Sequence, residues 1–156
     1  MPSVDIVRGD RGSFLFYNVD APVGKGCPNN PLDVLLVQYL LKECNKLSGY
    51  AEIQVRAGFT QDQMSITGAW DQYWDGYLAN FELTLVNKGR PVRRDRRVDP
   101  VVAGRVFGPI HHQPYIILWL NRGYQDLRPG DLARMADVPD CPWALRQVIK
   151  VQFIGA

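Results

Sequence analysis

The stretch that decides the fold is Thr67-Gly68-Ala69-Trp70-Asp71-Gln72-Tyr73-Trp74, continued by Asp75-Gly76-Tyr77-Leu78-Ala79-Asn80-Phe81-Glu82. Thr67-Gly68 predicts a turn, because glycine enters the left-handed region at little steric cost. A helix follows. Asp71 is placed to cap it, its carboxylate accepting from the backbone N–H of residue 73 or 74 and its charge suiting the positive helix end. Trp74, Tyr77, Leu78, Phe81 and Leu85 recur at i, i+3, i+4, i+7 and i+11, which is one apolar face of an α-helix. Gly76 inside that helix costs about 1 kcal/mol relative to alanine, so tertiary packing has to hold the element. The helix is expected to end near Asn87, with Gly89 just beyond it.

Upstream, Asn30-Pro31-Leu32-Asp33 predicts another helix start, with Asn30 as N-cap, proline at the first position and an acid in the first turn. Val34, Val37, Leu41 and Cys44 form its stripe, and Leu40 and Leu47 widen it. Leu35 and Leu36 make a second face apolar, so this helix is expected to be central and largely buried, closing at Gly49. Gln38, set among these apolar residues, is expected to hydrogen-bond the backbone of a neighbouring loop. Residues 13–18 read as a short strand or an extended arm. Val23-Gly24-Lys25-Gly26-Cys27-Pro28 is a loop without the spacing of a phosphate-binding glycine loop. Residues 51–66 read as an extended arm or irregular hairpin, alternating at Glu52-Ile53-Gln54-Val55.

Downstream, residues 104–109 are turn-rich, and Gln113-Pro114 predicts the start of a third helix. Its core face is Ile116, Leu120, Tyr124 and Leu127, broadened by Ile117, Leu118 and Trp119. Arg128-Pro129-Gly130-Asp131 closes it, and residues 132–135 add a turn of helix. Asp140-Cys141-Pro142-Trp143 caps a last helix carrying Leu145, Val148 and Ile149, after which Val151-Gln152-Phe153-Ile154 reads as a strand returning beside the N-terminal one.

At 156 residues, with 46 % apolar and 22 % charged residues, the chain fits one globular domain and neither a disordered nor a coiled-coil class. A formal charge of +2 gives no argument for nucleic acid. Cys27, Cys44 and Cys141 are widely spaced and the two histidines, His111 and His112, are adjacent, which supplies no tetrahedral metal site. No apolar run is long enough to span a membrane, and no secretory signal opens the sequence. If the chain is complete, it is made in the cytoplasm, with export by another route left open.

Three pieces together resemble the peptidoglycan-binding-like domain, a small three-helix accessory module of bacterial and phage wall hydrolases. That family's first helix carries Val-x-x-Leu-Gln-x-x-Leu, and Val34-Leu35-Leu36-Val37-Gln38-Tyr39-Leu40-Leu41 matches it with Val37 for leucine. Its turn and second helix read Asp-Gly-x-Phe-Gly-x-x-Thr and then Ala-Val-x-x-Phe-Gln. Gly68 and Trp70 fall on the glycine and the aromatic, and Leu78 and Phe81 on the helix core. Thr67, Asp71, Trp74 and Glu82 stand where the family has aspartate, glycine, threonine and glutamine. A second copy of the turn is similar to Asp95-Arg96-Arg97-Val98-Asp99, with Arg96 and Asp99 in its glycine positions. The match covers about residues 28–102.

The resemblance implies a mainly α protein. Residues 1–27 would form an N-terminal extended arm, 28–128 a compact three-helix core, and 129–156 a C-terminal helical extension, with a small β-element. It implies a non-catalytic module holding a wall glycan or stem peptide; the alternative is a scaffold or adaptor of a phage-derived or secretion machinery that contacts another protein. Sugars favour aromatic platforms beside polar groups, which makes Trp70 and Tyr73 ligand candidates. Trp74 reads as core and Trp70 as the plug of the turn. Arg93, Arg94, Arg96 and Arg97 are candidates for an anion site, against the reading of a solvated loop whose arginines pair with Asp95 and Asp99. No carboxylate pair, histidine or serine stands in a catalytic motif, so neither enzyme nor cofactor is expected.

Overall fold

The computed structural model of the chain describes residues 1–9, 12–47, 50, 64–102 and 115–154. The fold is mainly α. Strands β1 (Ser3–Gly9) and β2 (Gly12–Asn18) form an antiparallel hairpin with Ser3 opposite Asn18 and Gly9 opposite Gly12. Next come β3 (Val23–Gly24), α1 (Pro31–Cys44), α2 (Gln72–Asn87) and β4 (Arg97–Val98). Helix α3 (Ile116–Leu127), a 3-10 helix (Leu132–Asp137) and α4 (Trp143–Ile154) complete the order. The expectations for residues 51–63, Gly49, 104–109, the histidine pair and Pro114 lie outside the described residues.

Helix α1 is the hub, as its two apolar faces predict. Val34, Leu36, Val37, Tyr39, Leu40, Leu41 and Cys44 are all buried, and α1 packs against α2, α3, α4 and β3. Its start departs from expectation in one respect. Asn30 occupies the N-cap position but its side chain makes no capping bond. The fully buried Asp33 carboxylate does more, accepting from the N–H groups of Asp20 (2.9 Å) and Ala21 (3.1 Å) and fixing the incoming chain.

The hairpin belongs to the core rather than standing off as an arm. Phe16, Tyr17 and Val19 are buried, and the buried Asn121 of α3 reaches Tyr17 as a strand would. Its amide accepts from the Tyr17 N–H (2.7 Å) and donates to the Tyr17 carbonyl (2.9 Å). The Tyr17 hydroxyl donates to the Leu132 carbonyl in the 3-10 helix. Asn18 treats Val101 likewise, pairing with its N–H and carbonyl at 3.0 Å each.

The strand expected at Val151–Ile154 is corrected: these residues continue α4, which packs on β1. A run of four residues is too short to separate a period of 2 from one of 3.6, and Leu145, Val148, Ile149 and Gln152 continue the helical spacing. The predicted neighbour is right while the element type is not.

Two short strands fix the arginine segment. Val23 pairs with Val98 and Gly24 with Arg97. Gly24 has φ +146°, and a Cβ there would lie 2.7 Å from the Arg96 carbonyl oxygen, so glycine permits the close approach. The Gly24 N–H and carbonyl are both taken by the Asn29 side chain at 2.8 Å. That pairing closes the loop on itself.

Candidate functional site

The Gly68 turn is held from α1. Gln38 is fully buried; its Oε1 accepts from the N–H groups of Thr67 (3.0 Å) and Gly68 (2.9 Å), and its Nε2 donates to the Ala69 carbonyl (2.9 Å). Gly68 has φ +80°, with only ordinary contacts around a would-be Cβ, so conformation rather than space demands glycine. Asp71 then caps α2, accepting from Tyr73 and Trp74 N–H at 3.0 Å each.

This clamp sorts the three aromatics. Trp74 is core, 1 % exposed, donating from Nε1 to the Ser65 carbonyl at 3.2 Å and meeting Tyr77 edge-on at 5.1 Å. Trp70 is half-buried, its Nε1 donating to Asp75 at 2.7 Å and its ring 6.2 Å from that of Trp74. Tyr73 is exposed, at 47 %. Val34, Val37, Leu78 and Phe81 are buried, as the helix stripes require.

The five arginines of residues 90–97 separate into three sets. Arg90 lies over the Trp119 ring at 5.2 Å, and the Trp119 Nε1 in turn donates to the Pro91 carbonyl at 2.9 Å. Arg93 pairs with Asp95 at 3.5 Å and Arg97 with Asp99 at 2.6 Å. Arg93 and Arg97 are thus paired within their own loop and about half exposed. Arg94 and Arg96 have no carboxylate within ion-pair distance among the described residues, and both line an open pocket of about 290 Å³ with Ala79 and Glu82. Arg96 sits in the left-handed region, φ +54°, and Val98 two residues on is buried.

Glu82 is the residue that sequence reasoning passed over. It is 1 % exposed, and neither carboxyl oxygen has a hydrogen-bond partner among the described residues. Burial pushes its carboxyl up to about 8, the charge of Asp95 adding to that. The Arg96 backbone N–H and the guanidinium groups of Arg94 and Arg96 pull the other way without closing a regular bond. The signal was available: Glu82 lies four residues after Leu78 and three before Leu85, on the apolar stripe. Elsewhere the chain shows the ordinary solution for a buried acid, since Glu43 pairs with Arg128 at 3.1 Å and Lys46 at 3.0 Å.

Cys27, Cys44 and Cys141 are all free thiols, and burial pushes Cys141 up to about 12. Among the described residues no cluster of ligating side chains could hold a metal ion, and no helix is long and apolar enough to cross a membrane. The chain matches no protein-family model, and neither a search of curated proteins nor one of solved structures returns a match.

Proposed function

We propose that the chain is a non-catalytic binding module that holds a bacterial cell-wall glycan or its stem peptide at the edge formed by Trp70 and Tyr73. The observation that carries this reading is the Gln38 clamp on the Gly68 turn, which fixes the backbone leading into α2, where Trp70 is bonded to Asp75 and Tyr73 is exposed. Sugar rings take an aromatic face on one side and polar groups around it. The clamp also joins two of the three pieces on which the resemblance to peptidoglycan-binding-like domains rests.

A second reading, a scaffold or adaptor contacting another protein, is favoured by Trp143, 69 % exposed at the start of α4. Exposed tryptophan is characteristic of protein interfaces. The test is retention of the purified chain on peptidoglycan sacculi. The parent chain is expected to be retained, and Tyr73→Ala to weaken retention about tenfold, the size of one lost stacking contact. Trp143→Ala should leave it unchanged. A parent chain that washes through sinks the wall reading. A defined protein complex broken by Trp143→Ala would put the scaffold in its place.

A further inference from the structure

We propose that the pocket lined by Ala79, Glu82, Arg94 and Arg96 is a binding site for an oxyanion, a carboxylate or a phosphate, held by the two guanidinium groups and the Glu82 carboxyl group. A buried carboxyl with two unmet oxygens is costly, and native chains rarely leave one without a reason. Here a missing partner has somewhere to sit nearby, because Glu82 lines a pocket of about 290 Å³. The walls are cationic: Arg94 and Arg96 lack the aspartate partners that occupy Arg93 and Arg97. Guanidinium forks suit carboxylate and phosphate geometry.

The backbone supplies a further reason. Arg96 is held at φ +54°, where glycine would be relaxed, and strain of this kind collects where a side chain is being aimed. Strand β4 and the close Gly24 contact hold the turn in place.

Glu82 has to be a donor for this site to work. Its carboxyl keeps its proton up to about pH 8, so at neutral pH it offers an O–H to the anion instead of a like charge. The charged groups that face it are Asp95, which favours the protonated form, and Arg94 and Arg96, which oppose it. Above that pH the carboxylate repels the ligand, and affinity falls. The site is nine residues beyond Tyr73, about 14 Å along α2, and stands whether or not the Trp70–Tyr73 edge takes a sugar.

The experiment is a titration of the full chain with N-acetylalanine and, separately, inorganic phosphate, read from the isotope-labelled Ala79 methyl resonance. Saturable shifts at millimolar ligand are expected at pH 7. For N-acetylalanine, whose charge is constant in this range, affinity should fall about tenfold from pH 7 to pH 9. Glu82→Gln, whose amide still donates, should hold affinity within about twofold over the same interval. Arg94→Gln, a change at an exposed position, should weaken binding about fivefold or more at either pH. Tighter binding of N-acetylalanine assigns a carboxylate ligand, and tighter binding of phosphate a phosphorylated one. No saturation by either probe at pH 7 overturns the proposal, as does affinity that rises with pH or a Glu82→Gln profile identical to the parent's.

Discussion

Side-chain amides do the work of missing strands in this chain. Gln38, Asn18, Asn29 and Asn121 each bond both an N–H and a carbonyl of irregular or edge backbone. An amide suits the task because it carries an acceptor and two donors on one rigid plane. Gln38→Leu keeps the volume and strips three backbone groups of their partner, so it should lower stability by about 2–4 kcal/mol. An unchanged urea midpoint would mean the turn holds itself. Arg96→Gly is the reverse case. Glycine relieves the left-handed backbone, and the variant should be neutral or up to about 1 kcal/mol more stable by the same measurement. A clear loss would show that the arginine side chain supports the turn.

Glu82 sets a pH dependence whose sign follows from its position. The unfolded chain releases this proton near 4.5 and the folded chain near 8, so between those values the folded state binds the extra proton. Stability from this group is therefore fully present below about pH 4.5. It then falls as pH rises toward 8, by at most about 1.4 kcal/mol per pH unit. Glu82→Gln removes the proton and should flatten the curve between pH 5 and 8 in parallel urea titrations. Curves that stay parallel would place the ionised carboxylate in solvent.

At the scale of elements, the α1–α3 crossing is tight at Gly123 and the least legible. A Cβ at Gly123 would meet the Cys44 Sγ at 2.5 Å, and that sulfur also donates to the Leu120 carbonyl at 3.4 Å. Gly123→Ala should cost about 1–3 kcal/mol through overpacking, and Cys44→Ala in the same chain should recover part of it. Additive losses for the pair would deny the contact. Nothing marks Gly123 in the sequence, because a glycine within a helical stripe reads only as a weak helix former. The helices themselves are legible from periodicity, and the turn at Gly68 from its residue types. Strand β1 is not, since its pattern runs against burial: Ile6 is 65 % exposed while Asp5 is engaged by Ser3 and Asn18. The site divides the same way. Arg94 and Arg96 stand out in a basic run, whereas Glu82 hides because a carboxylate is read as a solvent-facing residue.

For the molecule as a whole, one contiguous core draws on Phe16 and Tyr17 near one end, the α1 stripe in the middle and Leu145 and Ile149 near the other. Asn121→Leu tests how far that core depends on its polar link. Losing both bonds to Tyr17 should leave α3 helical but speed amide exchange at Tyr17 about tenfold or more. Exchange unchanged at Tyr17 would mean that apolar packing alone seats the hairpin.

The same link has a consequence for how the chain is made. Tyr17 and Asn121 are 104 residues apart, so at roughly 5–20 residues per second the hairpin leaves the ribosome about 5–20 s before its partner exists. Over that interval Tyr17 has no α3 to pair with, and the apolar residues around it, Phe16 and Val19, offer a ribosome-bound chaperone an early handle. Nascent chains arrested at residue 114 should be cleaved by protease near β2, and chains extended through residue 154 should resist; equal resistance would mean that α1 alone shelters the hairpin during translation.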